Sequence, residues 1–310
     1  MKVLISSRSF GKIDSGAIEL LEKQGLTPIL NPYGRKLDEK EILNLIDDSV
    51  GIIAGTEKIT DKIISRNNQL KVISRYGIGI DNIDIKAAEK KDIMIFNTPD
   101  SPSIAVAELT ISLILNLLKK IGKSDRDIRN DIWKPEIGNL LSKKTVGIIG
   151  LGRIGKKLIQ FLLPFNTKIF VYDINPDIKF IAEHNLNLTS LSELISQSDI
   201  ITLHIPLTKK TKHMIGKSEL NSMKPNAILI NAARGGLVDE KSLYFALKNN
   251  IISGAAIDVL EDEPKTGSLK ELDNIIITPH IGTFTEETRI NMEIEAAENL
   301  INGLKKMKIL

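Results

Sequence analysis

The sequence predicts two doubly wound parallel α/β domains, one inserted into the other. Three observations predict it. Short apolar runs alternate with amphipathic stretches over residues 1–98, a second such series begins after residue 118, and a glycine triplet follows the first strand-like run of that second series. Continuous apolar runs separated by helices belong to parallel sheets covered on both faces. The domain holding the triplet spans residues 100–283, and residues 1–99 with 284–310 make the other.

Taken in order, Val3–Ser6, Pro28–Asn31, Gly51–Ala54, Val72–Ser74 and Ile93–Phe96 read as the first strands. Between them Ser15–Gln24, Asp38–Asp47, Thr60–Asn67 and Asp84–Lys90 carry apolar residues at helical spacing. Thr98-Pro99-Asp100-Ser101-Pro102 then breaks the series. Ile104–Leu118 reads as a helix that is apolar nearly all round, so it should be buried in a core or a subunit interface. Glu108, Ser112 and Asn116 interrupt it, and the apolar stretch is shorter than a membrane span.

Six further strands follow: Val146–Ile149, Lys168–Tyr172, Ile200–Leu203, Ala227–Asn231, Gly254–Ile257 and Ile275–Thr278. Glu286–Leu304 reads as a closing helix. Small residues at Gly282–Thr285 mark the return crossing. Two crossings at one place predict a hinge, with a cleft between the domains.

Gly150, Gly152 and Gly155 stand in G-x-G-x-x-G spacing directly behind the strand Val146–Ile149, and a helix-like segment, Lys156–Leu163, follows. One glycine makes the tight turn, the second lets backbone approach a pyrophosphate, and the third lets helix pack on strand. The pyrophosphate would sit on N–H groups at the positive end of the helix. A glycine triplet alone is weak evidence. Here the next strand ends in Asp173, about 20 residues on, where a carboxylate binds ribose hydroxyls. Its charge would repel a 2′-phosphate, and neither Ile174 nor Asn175 supplies a compensating cation, so NAD is expected over NADP.

Composition fits that reading. The chain is 42% apolar and 26% charged, with net charge +3 and 4% aromatic residues. Scattered lysines and few aromatics argue against a nucleic-acid platform. The absence of cysteine excludes disulfides, thiolate metal sites and cysteine nucleophiles, and no metal site is expected. Met1–Arg8 has too short an apolar run for a signal peptide, and a cytoplasmic location without membrane partners is expected.

A nicotinamide cofactor exchanging hydride with a carbonyl needs three things of the protein. One group holds the substrate's anionic end, one polarises the carbonyl, and one moves the proton. Arginine suits the first two and histidine the third. Of the four histidines, His184 and His213 lie in polar surface-like segments. His204 ends a strand at the carboxyl edge, where it could contact cofactor or serve structure. His280 follows the last strand at the hinge. Arg234 follows Ala227–Asn231 with two glycines behind it, and small neighbours around one cation suggest a tight ligand site. Glu263 stands in an acidic loop; bonded to His280 it would fix the imidazole tautomer and keep it protonated for donation.

Several segments together resemble the D-isomer-specific 2-hydroxyacid dehydrogenase family, nearest its phosphoglycerate dehydrogenase-like branch. They are 74–84, Asn97-Thr98-Pro99, Gly150–Gly155, Asn231–Val238, Ala256–Val259 and Thr278–Gly282, in order over residues 50–303. The resemblance implies a Rossmann NAD-binding domain inserted into a flavodoxin-like substrate domain. It implies that Arg234 binds the substrate's carboxylate and carbonyl, that His280 moves the proton, and that Glu263 pairs with it; formate dehydrogenases of this fold carry glutamine there. It places Gly150, Gly152, Arg153, Ile154, Gly155, Asp173, His204, Ile205, Ala232, Ala233, Asp258 and Gly282 against NAD, with Asp258 meeting the carboxamide. It assigns Arg75, Gly77, Ile78 and Gly79 to the substrate, their backbone amides cupping its carboxylate, as the two glycines permit. A homodimer through the Ile104–Leu118 region is implied too.

Two departures bear on the substrate. The phosphoglycerate enzymes this chain resembles place an arginine shortly before the Glu57-Lys58-Ile59-Thr60 segment, where Ile53-Ala54-Gly55-Thr56 stands here. Lys58, Arg8 or Arg35 would have to grip a phosphate instead. The family's C-terminal regulatory domain is not expected. Hydroxypyruvate or glyoxylate reduction is the alternative activity, and a non-catalytic NAD-sensing co-repressor scaffold the alternative class.

Overall fold

The computed structural model describes residues 1–310. Residues 1–102 supply β1 (Lys2–Ile5), β2 (Thr27–Leu30), β3 (Ser49–Ala54), β4 (Val72–Arg75) and β5 (Met94–Asn97). The helices between them are α1 (Gly16–Lys23), α2 (Glu39–Leu45), α3 (Asp61–Arg66) and α4 (Ile85–Lys90). Then come α5 (Pro102–Lys119), α6 (Ile121–Arg129), β6 (Thr145–Ile149), α7 (Arg153–Leu162), β7 (Lys168–Tyr172), α8 (Ile178–Glu183) and β8 (Asn187–Leu188). The order continues with α9 (Leu191–Gln197), β9 (Ile200–Leu203), α10 (Lys217–Ser222), β10 (Ile228–Asn231), α11 (Glu240–Lys248), β11 (Gly254–Ile257), β12 (Ile275–Ile277) and α12 (Glu286–Lys306).

Two compact units result: Met1–Pro102 with Thr283–Leu310, and Ser103–Gly282. The first division falls just after Pro102, the first residue of α5. Proline is favoured there, since a first-turn N–H has no partner inside the helix.

The first unit holds a five-stranded sheet in the order β2-β1-β3-β4-β5, every pairing parallel. Residues of β3 and β4 are buried throughout, as central strands covered on both faces must be. One face packs on α1 and α12 through Leu21, Met292, Ala296 and Leu300. The other packs on α2, α3 and α4 through Ile42, Ile63, Ile64 and Ala88. Asp38 and Glu41 cap α2 reciprocally, each side chain accepting the other's backbone N–H.

The second unit holds seven parallel strands in the order β12-β11-β10-β9-β6-β7-β8. The two-residue β8 is the strand beyond the expected six; its exposed Asn187-Leu188 pair carries no apolar run to announce it. Strand order reverses between β6 and β9, so that the carboxyl ends of those two strands form the switch point where such sheets bind ligands. Leu158, Ile159 and Leu162 of α7 pack one face together with Ala107, Leu113, Ile114 and Leu118 of α5. By length and composition α5 could cross a membrane, its 18 residues having a mean hydropathy of 1.4, and half of it is buried inside the protein. Burial in a core or a subunit interface is expected of it. Its apolar residues encircle the axis but only one side meets the core, leaving Ile104 half-exposed.

Candidate functional site

The turn after β6 is built as the glycine spacing predicts. Gly150 has φ +105, and a Cβ there would lie 2.5 Å from the His204 carbonyl oxygen at the head of β9's exit loop. A Cβ on Gly155 would lie 2.1 Å from the Gly150 carbonyl oxygen, so nothing larger lets α7 approach β6 this closely. Gly152 differs. It caps α7 with no side-chain bond to the helix end, and a Cβ there would meet nothing within 4 Å. The positive end of a ten-residue helix therefore opens on free space, which fits a pyrophosphate. Arg153 and Ile154 form its first turn.

Asp173 stands at the end of β7. Its carboxylate accepts the Leu151 N–H at 2.6 Å and the Asn175 N–H at 2.8 Å, tying the glycine turn to the next strand. A carboxylate accepts about four hydrogen bonds, so capacity remains for ribose hydroxyls. Ile174 beside it is 90% exposed and carries no charge.

His204 takes its backbone position from β6, donating its N–H to the Ile149 carbonyl at 2.8 Å. Its Nε2 lies 2.9 Å from the Thr202 hydroxyl, and its Nδ1 is buried without a protein partner. Burial pushes its pKa down to about 4, so the ring is neutral at pH 7. Ile205 packs against Gly150 from the same loop.

After β10 the chain turns through Asn231-Ala232-Ala233-Arg234-Gly235-Gly236. Asn231 is 2% exposed and shapes the turn, its amide accepting the Ala233 N–H at 3.1 Å and donating to the Arg234 carbonyl at 2.9 Å. Arg234 donates to the Ala233 carbonyl at 2.7 Å, which draws its guanidinium in over its own loop. The loop's other side, Gly235, rests on the Leu260 carbonyl. Arg234 and the acidic loop 260–263 are thus neighbours.

That acidic loop meets the segment after β12. His280 Nδ1 lies 3.0 and 3.1 Å from the two Glu263 carboxylate oxygens, and both side chains are about two-fifths exposed. With Nδ1 so engaged, Nε2 is the nitrogen left to exchange a proton. His280 has φ +56, a left-handed backbone that ordinary residues avoid. Asp258 holds it there. Its 1%-exposed carboxylate accepts the Thr278 hydroxyl at 2.6 Å, the Ile281 N–H at 2.8 Å and the Gly282 N–H at 2.9 Å. Burial raises the Asp258 pKa, and the same three hydrogen bonds oppose the rise. Expected to face a carboxamide, Asp258 is above all the clamp of the His280 loop, with room for about one further donor. Sequence reasoning missed that clamp, though a buried Asp at a strand end was its signal.

The other histidines are surface groups with partners. His184 stacks on Phe180 at 4.0 Å, and His213 Nε2 lies 3.0 Å from Glu261.

In the first unit, the segment after β4 turns at Gly77, where φ is +138. The Gly77 N–H donates to the Thr98 hydroxyl at 2.8 Å, and Asn97 donates to the Ile78 carbonyl at 2.7 Å. Arg75 is 8% exposed and curls back, so that a Cβ on Gly77 would lie 2.5 Å from its guanidinium. It underpins the turn, while Ile78 and Gly79 remain partly exposed. Of the three cations offered for a phosphate, Arg35 forks onto Glu41 at 2.9 and 2.5 Å. Lys58 and Arg8 are exposed, and Glu57 between Thr56 and Lys58 is buried on the Gly55 N–H at 2.7 Å.

Residues 111–282 match the model of a D-isomer specific 2-hydroxyacid dehydrogenase, NAD binding domain. The chain is 40% identical over 321 residues to a D-3-phosphoglycerate dehydrogenase of Methanocaldococcus jannaschii, covering 97% of this chain and 59% of that protein. It is 41% identical over 277 residues to a glyoxylate reductase of Thermofilum pendens, covering 86% of this chain and 81% of the relative. Among solved structures, D-lactate dehydrogenase from Aquifex aeolicus complexed with NAD and lactic acid matches with a TM-score of 0.87 at 28% identity, over 100% of this chain and 96% of the other. The chain spans between 53% and 59% of the length of the first phosphoglycerate dehydrogenases it matches.

Proposed function

The chain belongs to the D-isomer-specific 2-hydroxyacid dehydrogenase family, and we propose that it is an NAD-dependent oxidoreductase interconverting a small, unphosphorylated D-2-hydroxy acid and its 2-keto acid. The observation that carries the reading is the His280–Glu263 pair, at the carboxyl edge of the sheet whose glycine turn fits a dinucleotide. Bound NAD(H) supplies the hydride acceptor or donor.

Gly150, Gly152, Arg153, Ile154 and Gly155 bind the pyrophosphate, and Asp173 takes the ribose hydroxyls. His204, Ile205, Ala232, Ala233 and Gly282 line the remainder of the cofactor, with the free acceptor position of Asp258 for the carboxamide. The Ile78 and Gly79 amides bind the substrate carboxylate, on a turn underpinned by Arg75 and by Gly77, whose own N–H is taken by the Thr98 hydroxyl. Arg234 binds carboxylate and carbonyl oxygen together, a task suited to a planar fork. In reduction His280 donates a proton from Nε2 to the carbonyl oxygen, and in oxidation it accepts one. Glu263 holds the ring in place for both directions.

An unphosphorylated substrate is preferred because residues 53–56 carry no cation and Arg35 is engaged by Glu41, which leaves a phosphate only the exposed Lys58 and Arg8. Turnover of glyoxylate, hydroxypyruvate and phosphohydroxypyruvate with NADH and with NADPH tests the reading. Higher kcat/KM on the first two with NADH supports it; preference for the phosphorylated acid overturns the substrate class, and no turnover overturns the activity.

Homodimer formation belongs to the proposal as well. Ile121, Ile128, Ile132, Trp133, Ile137 and Leu140 follow α5 in sequence and are 49–92% exposed, more large apolar surface than an isolated chain ordinarily leaves in water. Trp133→Asp with Ile137→Asp should convert a dimer to a monomer by light scattering.

A further inference from the structure

Helix α12 sets Arg289 and Glu293 four residues apart, on one face of its first turns. Both are buried, at 8% and 1% exposure. Buried charges are costly unless their partners are well placed, and these two take theirs from other segments. The Arg289 guanidinium lies 4.4 Å from the centre of the Tyr76 ring and 4.8 Å from that of Phe284, and it donates to the Ser9 hydroxyl. Glu293 accepts the Tyr76 hydroxyl at 3.2 Å and the Gly11 N–H at 2.8 Å. Phe10 meets Tyr76 edge-on at 5.8 Å. Burial raises the Tyr76 pKa, so the phenol keeps its proton and remains a donor to Glu293.

Tyr76 is the focus of this cluster, and it immediately precedes Gly77. The turn at Gly77 is held on its other side by Thr98 and Asn97. A core of leucines would fill the same space at less electrostatic cost. A planar cation over an aromatic ring, with a carboxylate on that ring's hydroxyl, fixes the ring in plane and direction as an apolar core does not.

We infer that Arg289 and Glu293 are positioning residues which, through Tyr76 and the turn at Gly77, set the Ile78 and Gly79 amides at the spacing a substrate carboxylate requires. This rests on the reading of that turn as the carboxylate-binding segment. Arg289 itself touches no reacting atom in this assignment.

The test is steady-state kinetics with a 2-keto acid and NADH, together with oxamate binding to the enzyme–NADH complex followed by NADH fluorescence. Arg289→Met should raise the 2-keto acid KM and the oxamate Kd about tenfold, with kcat and the NADH KM within twofold of wild type. Arg289→Lys, which keeps the charge but not the plane, should recover less than half of that loss on a logarithmic scale. Tyr76→Phe, which keeps the ring and loses the Glu293 bond, should shift both constants two- to fivefold. The latter two variants carry the prediction should the methionine variant fail to fold. A lowered melting temperature with KM and Kd unmoved in the folded variants overturns the inference in favour of a purely structural cluster. Gly79→Ala separates the two layers. If it raises the same constants while the cluster variants do not, only this inference falls; if it leaves them unmoved, the carboxylate-binding reading falls and takes the inference with it.

Discussion

Asp258 and Glu263 both serve the segment that carries His280, yet their settings are opposite. Glu263 is two-fifths exposed and faces the imidazole, so water can reach the pair and a proton can come and go. Asp258 is 1% exposed, and its carboxylate accepts hydrogen bonds from the residues on either side of His280. One carboxylate meets the ring itself and the other the backbone that carries it. What separates the two is the atom each one meets: Glu263 faces the ring nitrogen, and Asp258 faces the hydroxyl and backbone N–H groups that carry the ring.

Substitutions that remove charge but keep shape break this comparison most sharply. Glu263→Gln keeps an acceptor near Nδ1 and should lower kcat by about 10²-fold, in the range for groups assisting proton transfer, with an unchanged melting temperature. Asp258→Asn should lose activity and also about 1–3 kcal/mol of stability, because its amide must turn a donor toward a hydroxyl or an N–H. Urea melts beside initial rates distinguish the two; equal stability losses in both variants would erase the distinction.

Gly152→Ala extends the same logic to the cofactor turn. A Cβ there meets nothing within 4 Å, so folding should be unaffected while the NADH KM rises about tenfold, an expected cost of roughly 1.4 kcal/mol in binding. A lowered melting temperature with normal NADH affinity would mean that the open end of α7 is not a phosphate site.

The effect expected of His204 falls on stability alone. Its folded pKa of about 4 lies below the ordinary value of 6.5. From pH 6.5 down to about 4 the unfolded chain takes up a proton that the folded chain refuses. Its contribution to stability is therefore whole above pH 6.5, declines through that window and is gone below about 4. Between pH 7 and pH 5 wild type should lose about 2 kcal/mol more than His204→Gln in chemical denaturation. Equal losses would show that the ring is not held neutral.

Where the sequence was legible, short-range pattern and physics coincided. Gly150 and Gly155 were readable because a turn that admits no Cβ leaves glycine as its mark at fixed spacing. Parallel strands such as β3 and β4 announced themselves by unbroken burial. His280 and Glu263, 17 residues apart, were readable as chemistry, with the resemblance supplying their pairing. The clamp by Asp258 was not readable, because its three donors come from a strand end 20 to 24 residues away and only the fold brings them round it. Arg289 and Glu293 looked like ordinary charges on an amphipathic helix; their burial depends on Tyr76, more than 200 residues distant. The two-residue β8 escaped because exposed residues on an edge need no apolar pattern.

His280→Ala measured two ways, NADH binding by fluorescence and single-turnover NADH oxidation with a 2-keto acid, tests the central claim most directly. The expected result is a binding curve equal to wild type and an oxidation rate lower by about 10²–10⁴-fold. A wild-type oxidation rate in the folded variant would contradict it.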